Sequence, residues 1–208
     1  MLRRTLLATA MVLIAAGFAL GQSAEAGTDP ATFINNLGSQ LQLVTGTISP
    51  EQRMAGFRWL FREDFDIPGL GRFVLGRFWP FLSPSEQQEF LGLFETYVVY
   101  TYGDRLSEFA GNGFAPRVTG SRPDPDGVIV CSEITRWSGH GQTFQPVKVD
   151  WRLTGHDGVY KISDVIIGGV SMAVTGRSEL QGVAERNGGQ PQAILAVMRQ
   201  ETANAAWR

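Results

Sequence analysis

Asp164 is the residue of this chain that most invites a chemical reading. Between Tyr160 and Ile167 the apolar set begins as Tyr160 and Ile162 but continues as Val165 and Ile167, so the parity changes across Ser163-Asp164. One extra residue in a strand produces such a change, and a bulge or bend there is expected. It could turn Asp164 inward. An inward carboxylate in a curved sheet covered by helices suits a pocket enzyme that abstracts protons, provided that its pKa is raised and a donor faces it. Tyr160 and His140 are then the first candidate partners. The structural reading has Asp164 accepting hydrogen bonds from Arg, Ser or backbone groups at the bulge. We expect the latter, because structural ion pairs outnumber catalytic ones.

Little else in the chain has the spacing of a reactive site. Of the two histidines, His140 lies in a Gly-rich turn and His156 in a hairpin turn, and neither forms a zinc-ligand or Ser-His-Asp pattern. No catalytic residue, metal or cofactor is expected. Cys131 is the single cysteine, so no intramolecular disulfide can form, and its place in a strand predicts a small packed side chain. Asp150 alternates with apolar neighbours and should face solvent. Gly69-x-Gly71 has no strand before it and reads as the start of a helix, not as a nucleotide-binding loop.

These residues are carried by a run of helices, then strands, then helices. Thr28-Asp29-Pro30 is a helix start, and Phe33, Leu37, Leu41 and Val44 follow at helical spacing to about Gly46. Ser49-Pro50-Glu51-Gln52 is a capping box that opens a second helix, to about Glu63. A third spans Leu70 to Trp79, apolar around much of its circumference and therefore deep. Ser83-Pro84-Ser85-Glu86 repeats the capping chemistry before the longest helix, to about Phe109. Strands are expected at Phe114–Gly120, Val128–Trp137, Thr143–Leu153 and Tyr160–Ile167, joined by turn-rich segments of hairpin length. In the third, Val147, Val149, Trp151 and Leu153 alternate with Lys148, Asp150 and Arg152, which commits one face to an apolar interior. Two helices, Ser171 to Asn187 and Pro191 to about Ala203, complete an α+β layout with a four-stranded antiparallel sheet.

Residues 1–26 read as a secretory signal peptide. Arg3 and Arg4 precede an apolar run from Leu6 to Leu20, and Ala24-Glu25-Ala26 is a small-residue cleavage site. Gly27 to Arg208 is expected to form one domain, with helices over 30–110, sheet over 114–167 and helices over 171–203. Setting aside Arg3, Arg4 and Glu25, the chain's 18 basic and 20 acidic residues fall to 16 and 19. That balance offers no basic excess to hold nucleic acid or an anionic membrane by charge.

Two blocks of sequence resemble a known family. One is W-R-L at Trp151–Leu153, a D-G turn, Y-K-I-S-D-V at Tyr160–Val165, G-V-S-M at Gly169–Met172 and R-S-E at Arg177–Glu179. The other runs Phe65-Asp66, Leu70, Arg72-Phe73-Val74-Leu75-Gly76-Arg77-Phe78-Trp79, Leu82-Ser83-Pro84, Gln87, Phe90 and Phe94. Together they resemble the MlaC, or toluene-tolerance, family of periplasmic phospholipid-binding proteins, auxiliary components of ABC transporters.

The resemblance implies a monomeric carrier, not an enzyme, with an apolar cavity between sheet and helices. It further implies exchange of phospholipid between an outer-membrane lipoprotein complex and an inner-membrane ABC transporter complex. On it, Val147, Val149, Trp151 and Leu153 of the sheet, with Phe73, Val74, Phe78, Phe94 and Val98 of the helices, are candidate lipid contacts. Each methylene withdrawn from water is worth about 0.8 kcal/mol, so two acyl chains of roughly fifteen methylenes represent on the order of 20 kcal/mol. Such a carrier must supply an enclosed apolar wall. Where the family has a bulky aromatic before its last Arg, this chain has Thr175-Gly176-Arg177, which leaves open a specialised, for instance hopanoid-associated, branch. A small dehydratase- or isomerase-like enzyme and a ligand-free envelope adaptor are the other classes open at this point.

Overall fold

The computed structural model describes residues 28–46, 49–107, 116–135, 145–156 and 158–205. The leader expected over residues 1–26, His140 and Phe109 lie outside them. Helices α1 (Pro30–Thr45), α2 (Pro50–Asp64), α3 (Ile67–Leu75) and α4 (Pro84–Ser107) precede the sheet. Strands β1 (Pro116–Asp124), β2 (Gly127–Ile134), β3 (Val147–His156), β4 (Val159–Ile167) and β5 (Val170–Ser171) follow. The chain then closes with α5 (Met172–Arg186) and α6 (Gln192–Ala205).

Local chemistry sets the helix starts. Asp29 accepts from the amides of Ala31 and Thr32 at 3.0 and 3.1 Å, satisfying donors that the first turn leaves free, and Pro30 has no amide hydrogen to satisfy. At α4 the capping box is reciprocal: Ser83 N donates to Glu86 Oε2 at 2.8 Å and Glu86 N to Ser83 Oγ at 3.3 Å. At α2 only half of it forms. Gln52 N donates to Ser49 Oγ at 3.4 Å, while that hydroxyl donates to the side chain of Glu51 and not to that of Gln52.

The helix expected from Leu70 to Trp79 is two elements. It starts earlier, where Asp66 accepts from Gly69 N at 3.0 Å, and it stops at Gly76, whose φ of +52° is open to glycine at little cost. A 3₁₀ segment, Gly76–Phe81, continues the chain. Nor is the helix apolar all round: Leu70, Gly71, Val74 and Leu75 are buried, whereas Arg72 and Phe73 face solvent.

The strands form one antiparallel meander in the order β1-β2-β3-β4-β5. The sheet therefore has five strands, not four. Gly168 and Gly169, at φ +58° and +87°, turn the chain back so that Val170 and Ser171 pair with Ile167 and Ile166 before α5 begins. The predicted irregularity in β4 is present: the β3–β4 register shifts between Arg152 and Leu153, opposite Ser163. β1 starts at Pro116 and runs through Pro123 to Asp124, past the expected Gly120, with a register shift between Val118 and Gly120.

The close helix-to-sheet seams fall on β1 and β2 under α1, and on β4 beside α2, α3 and α5. At the α1–β1 seam, Gly38 lies so near Pro116 that a Cβ would stand 2.6 Å from the ring Cδ. The connector between α2 and α3 is tied to the sheet as well, Asp66 N donating to Ile162 O at 3.0 Å. Among the helices, α4 packs on α2, α3 and α6, and buried Glu95 of α4 holds Arg62 at 2.9 Å and Arg58 at 3.4 Å of α2.

Two glycine substitutions separate packing from propensity. In α4, Gly92 has nothing within 4 Å of an added Cβ, so Gly92→Ala should stabilise by about 0.5–1 kcal/mol. Gly38→Ala gains the same helix propensity but must displace Pro116, and overpacking of about 1–3 kcal/mol outweighs the gain. Urea denaturation of the two variants should move the midpoint in opposite directions.

Candidate functional site

β3 presents Val147, Val149, Trp151 and Leu153 on one face, as their alternation requires. In register beside them lie Ile134, Ser132, Val130 and Val128 of β2. On the other side Ile167, Val165 and Ile162 of β4 oppose Val149, Trp151 and Leu153. Val149, Trp151 and Leu153 are buried and belong to the same apolar cluster as Val74, Phe78 and Phe94 of the helical side, with Val98 and Val147 packed against it. Within that cluster Phe90 stacks on Phe94 at 5.8 Å between ring centroids, and Phe61 lies 6.5 Å from Phe94.

Buried Ser132 interrupts the apolar face for a definite reason. Trp151 Nε1 donates to Ser132 Oγ at 2.9 Å, and that hydroxyl donates to Val149 O at 2.8 Å. An indole N–H buried without an acceptor would be costly, and the serine relieves it while fixing the ring's orientation.

Eight of the nine candidate lining residues are thus brought together, and Phe73 is not. Its side chain is 40 % exposed, and the Arg177 guanidinium lies 5.1 Å from its ring centroid. Helical spacing groups residues by face but does not say which neighbour of Val74 turns outward. The residue that reasoning from sequence missed is Arg177 itself. It reaches Gly76, where an added Cβ would stand 2.9 Å from Arg177 Nη2 and 2.8 Å from Gln181 Nε2. Arg77 and Glu185 form an ion pair across the same joint. The two sequence blocks quoted above therefore dock on one another, and several of their polar residues are fasteners of α3 to α5.

Asp164 is buried, only 3 % exposed, yet it stands in register with Arg152 on the polar side of the strand pairing. It accepts from Ser171 Oγ at 2.6 Å and from Ala173 N at 3.0 Å, with Arg152 Nη1 at 4.0 Å. Ser171 Oγ in turn caps α5 by accepting from Val174 N at 3.0 Å. A general base must reach a substrate proton, whereas both oxygens of this carboxylate are engaged in holding the start of α5. Tyr160 is edge-on to Phe33 at 6.2 Å and opposite Gly155, and is not among the groups that contact Asp164. The side chain of His156 lies outside the described residues.

Arg122 Nη1 approaches Cys131 Sγ at 2.9 Å and its Nη2 approaches Asp150 Oδ2 at 2.9 Å. Burial, then the charge of Asp150, push the Cys131 thiol up, and Arg122 offsets this only in part. Burial also raises the pKa of Asp64, opposed by Lys161. Among the described residues no group of three or more His, Cys, Asp or Glu could hold a metal ion, and no helix is long and apolar enough to cross a membrane.

The family model described as MlaC protein matches residues 33–200. The fold is similar to that of a phospholipid-binding protein from Ralstonia solanacearum, solved in complex with a phospholipid, with a TM-score of 0.68 and 19 % identity. That match covers 86 % of this chain and 99 % of the other. At that identity the likeness is one of fold.

Asp164→Asn should destabilise by roughly 1–3 kcal/mol, the cost of weakening charge-assisted hydrogen bonds to a buried acceptor, as read by urea denaturation. Because a raised pKa lowers the thiolate fraction, Cys131 should react with a thiol reagent more slowly at neutral pH than an unhindered cysteine. Its rate should still be climbing with pH where an ordinary cysteine has levelled off.

Proposed function

The chain belongs to the MlaC protein family, and on that footing we propose that it is a periplasmic lipid carrier. In this reading it is a binding protein, not an enzyme, and it encloses the acyl chains of a phospholipid between β3 and the helices. It shuttles that lipid between an outer-membrane lipoprotein complex and an inner-membrane ABC transporter, reaching the space between them through the leader at its N-terminus. The phospholipid in the similarly folded Ralstonia solanacearum protein supports the ligand class.

The observation that carries the proposal is the position of β3. Its Val149, Trp151 and Leu153 side chains are buried, and the strand lies between the seam that α1 makes with β1 and β2 and the one that α2, α3 and α5 make with β4. A lipid needs a wall of this kind: apolar, shielded, and bounded by elements packed closely enough to hold it open. Ligand pockets of this sort run to several hundred Å3, a volume that a sealed core does not tolerate.

Mass spectrometry of an organic extract of the purified protein should find phospholipid in near-stoichiometric amount. Val149→Trp should then occupy lipid volume, so that bound lipid falls while the thermal transition stays cooperative and little shifted. A solid core would respond in the opposite way, losing about 1–3 kcal/mol of stability through overpacking. No extractable lipid, together with that loss, would remove the carrier reading.

A further inference from the structure

A contiguous exposed strip runs from the β4–β5 hairpin to α3. At the hairpin, Ile167 and Val170 oppose one another and are 40 % and 55 % exposed. The tip between them is bare: no heavy atom lies within 4 Å of where a Cβ of Gly168 or Gly169 would sit. Val174, 52 % exposed, follows in the first turn of α5. One turn further along that helix is Arg177, whose guanidinium covers the exposed ring of Phe73 and so joins α3 to the strip.

Cations flank these apolar groups. Lys148 is exposed beside the tip, on the face of β3 opposite to Val149 and Ile167, its backbone oxygen accepting from Gly168 N at 2.9 Å. Arg72 is exposed next to Phe73, with its guanidinium 5.5 Å from the Trp79 ring centroid. Among the described residues Lys148, Arg72 and Arg177 pair with no carboxylate, whereas seven other arginines do. The nearest acids are held elsewhere, Glu133 opposite Lys148 by Arg117 and Asp150 by Arg122, which matters because the chain as a whole is slightly acidic and has no general attraction for anions.

We propose that this strip docks the protein on an anionic bilayer surface. Aliphatic side chains on a compact hairpin tip fit below the headgroups, while Lys148, Arg72 and Arg177 stay at the level of the phosphates, the division of labour of an interfacial contact. The inference does not depend on lipid in the interior. It concerns how the surface meets a membrane, and its test reads attachment to vesicles, not bound ligand.

Flotation of the protein, in the form isolated from the cells that make it, would be compared on vesicles of phosphatidylcholine and of phosphatidylcholine mixed with phosphatidylglycerol. The protein should float with the mixed vesicles and not with phosphatidylcholine alone, and raising the salt should release it. Val170→Asp and Lys148→Glu should each reduce the bound fraction by roughly tenfold, with circular dichroism confirming that both remain folded. Val159→Asp, at the exposed β3–β4 turn, should leave it unchanged. The proposal is overturned by a lack of flotation on mixed vesicles, which would leave the strip as a contact for a protein partner. It is equally overturned by flotation that Val170→Asp and Lys148→Glu do not alter, or that Val159→Asp abolishes as well.

Discussion

A carboxylate taken out of water must be surrounded by donors, and in this protein that requirement falls on Asp164. The donors it recruits are Ser171 Oγ and Ala173 N, which sit where β5 gives way to α5. Satisfying one buried charge therefore fixes where α5 starts and in which direction it leaves the sheet. From there α5 carries Arg177 and Gln181 to Gly76, and Glu185 to Arg77, so the end of α3 is set by the same contact at one remove. The glycine is required twice, by its positive φ and by the side chains that occupy the space a Cβ would need. Orientation of the α3–α5 pair is thus an electrostatic matter, although the surfaces they bury are apolar.

The interior follows a different rule. β2 and β3 supply a hydrophobic face, and the buried Ser132 that interrupts it on β2 is matched to the indole of Trp151 on β3. A face so built has no polar demand left on the groups that meet it. Aliphatic and aromatic side chains from α3 and α4 meet it in one cluster. In the carrier reading, acyl chains join the same cluster as further hydrocarbon. The polar fasteners lie outside this region, at Asp164 and at the Gly76 joint, so the scaffold can be held firmly without placing charge against a lipid.

Much of this was legible in the sequence because it is written in local chemistry. Asp29-Pro30 and Ser83-Pro84-Ser85-Glu86 mark helix starts through amides that need acceptors, and the alternation in β3 reports a face directly. The parity change at Ser163-Asp164 marks the bulge of β4 in the sequence itself. What escaped is what depends on distant partners. β5 is two residues long and carries no period, so the pairing of Val170 with Ile167 could not be read from it. The helix predicted through Trp79 overran Gly76 because its apolar residues persist beyond the break in the backbone. Phe73 was grouped with Val74 for its chemistry, and only the position of Arg177, a hundred residues later, explains why its ring remains at the surface.

The meander leaves the sheet open at both ends, which bears on how molecules of this protein behave toward one another. An unpaired strand edge is a template on which a second chain can add by backbone pairing, the first step of many aggregates. Here β5 is too short to offer more than a residue or two. β1 is nine residues long, but it carries Pro116 and Pro123, a register shift between Val118 and Gly120, and exposed Arg117 and Arg122. Prolines remove amide donors, the shift bends the edge away from a flat ladder, and the long charged side chains crowd an incoming strand. The two margins of the sheet are thereby kept from polymerising.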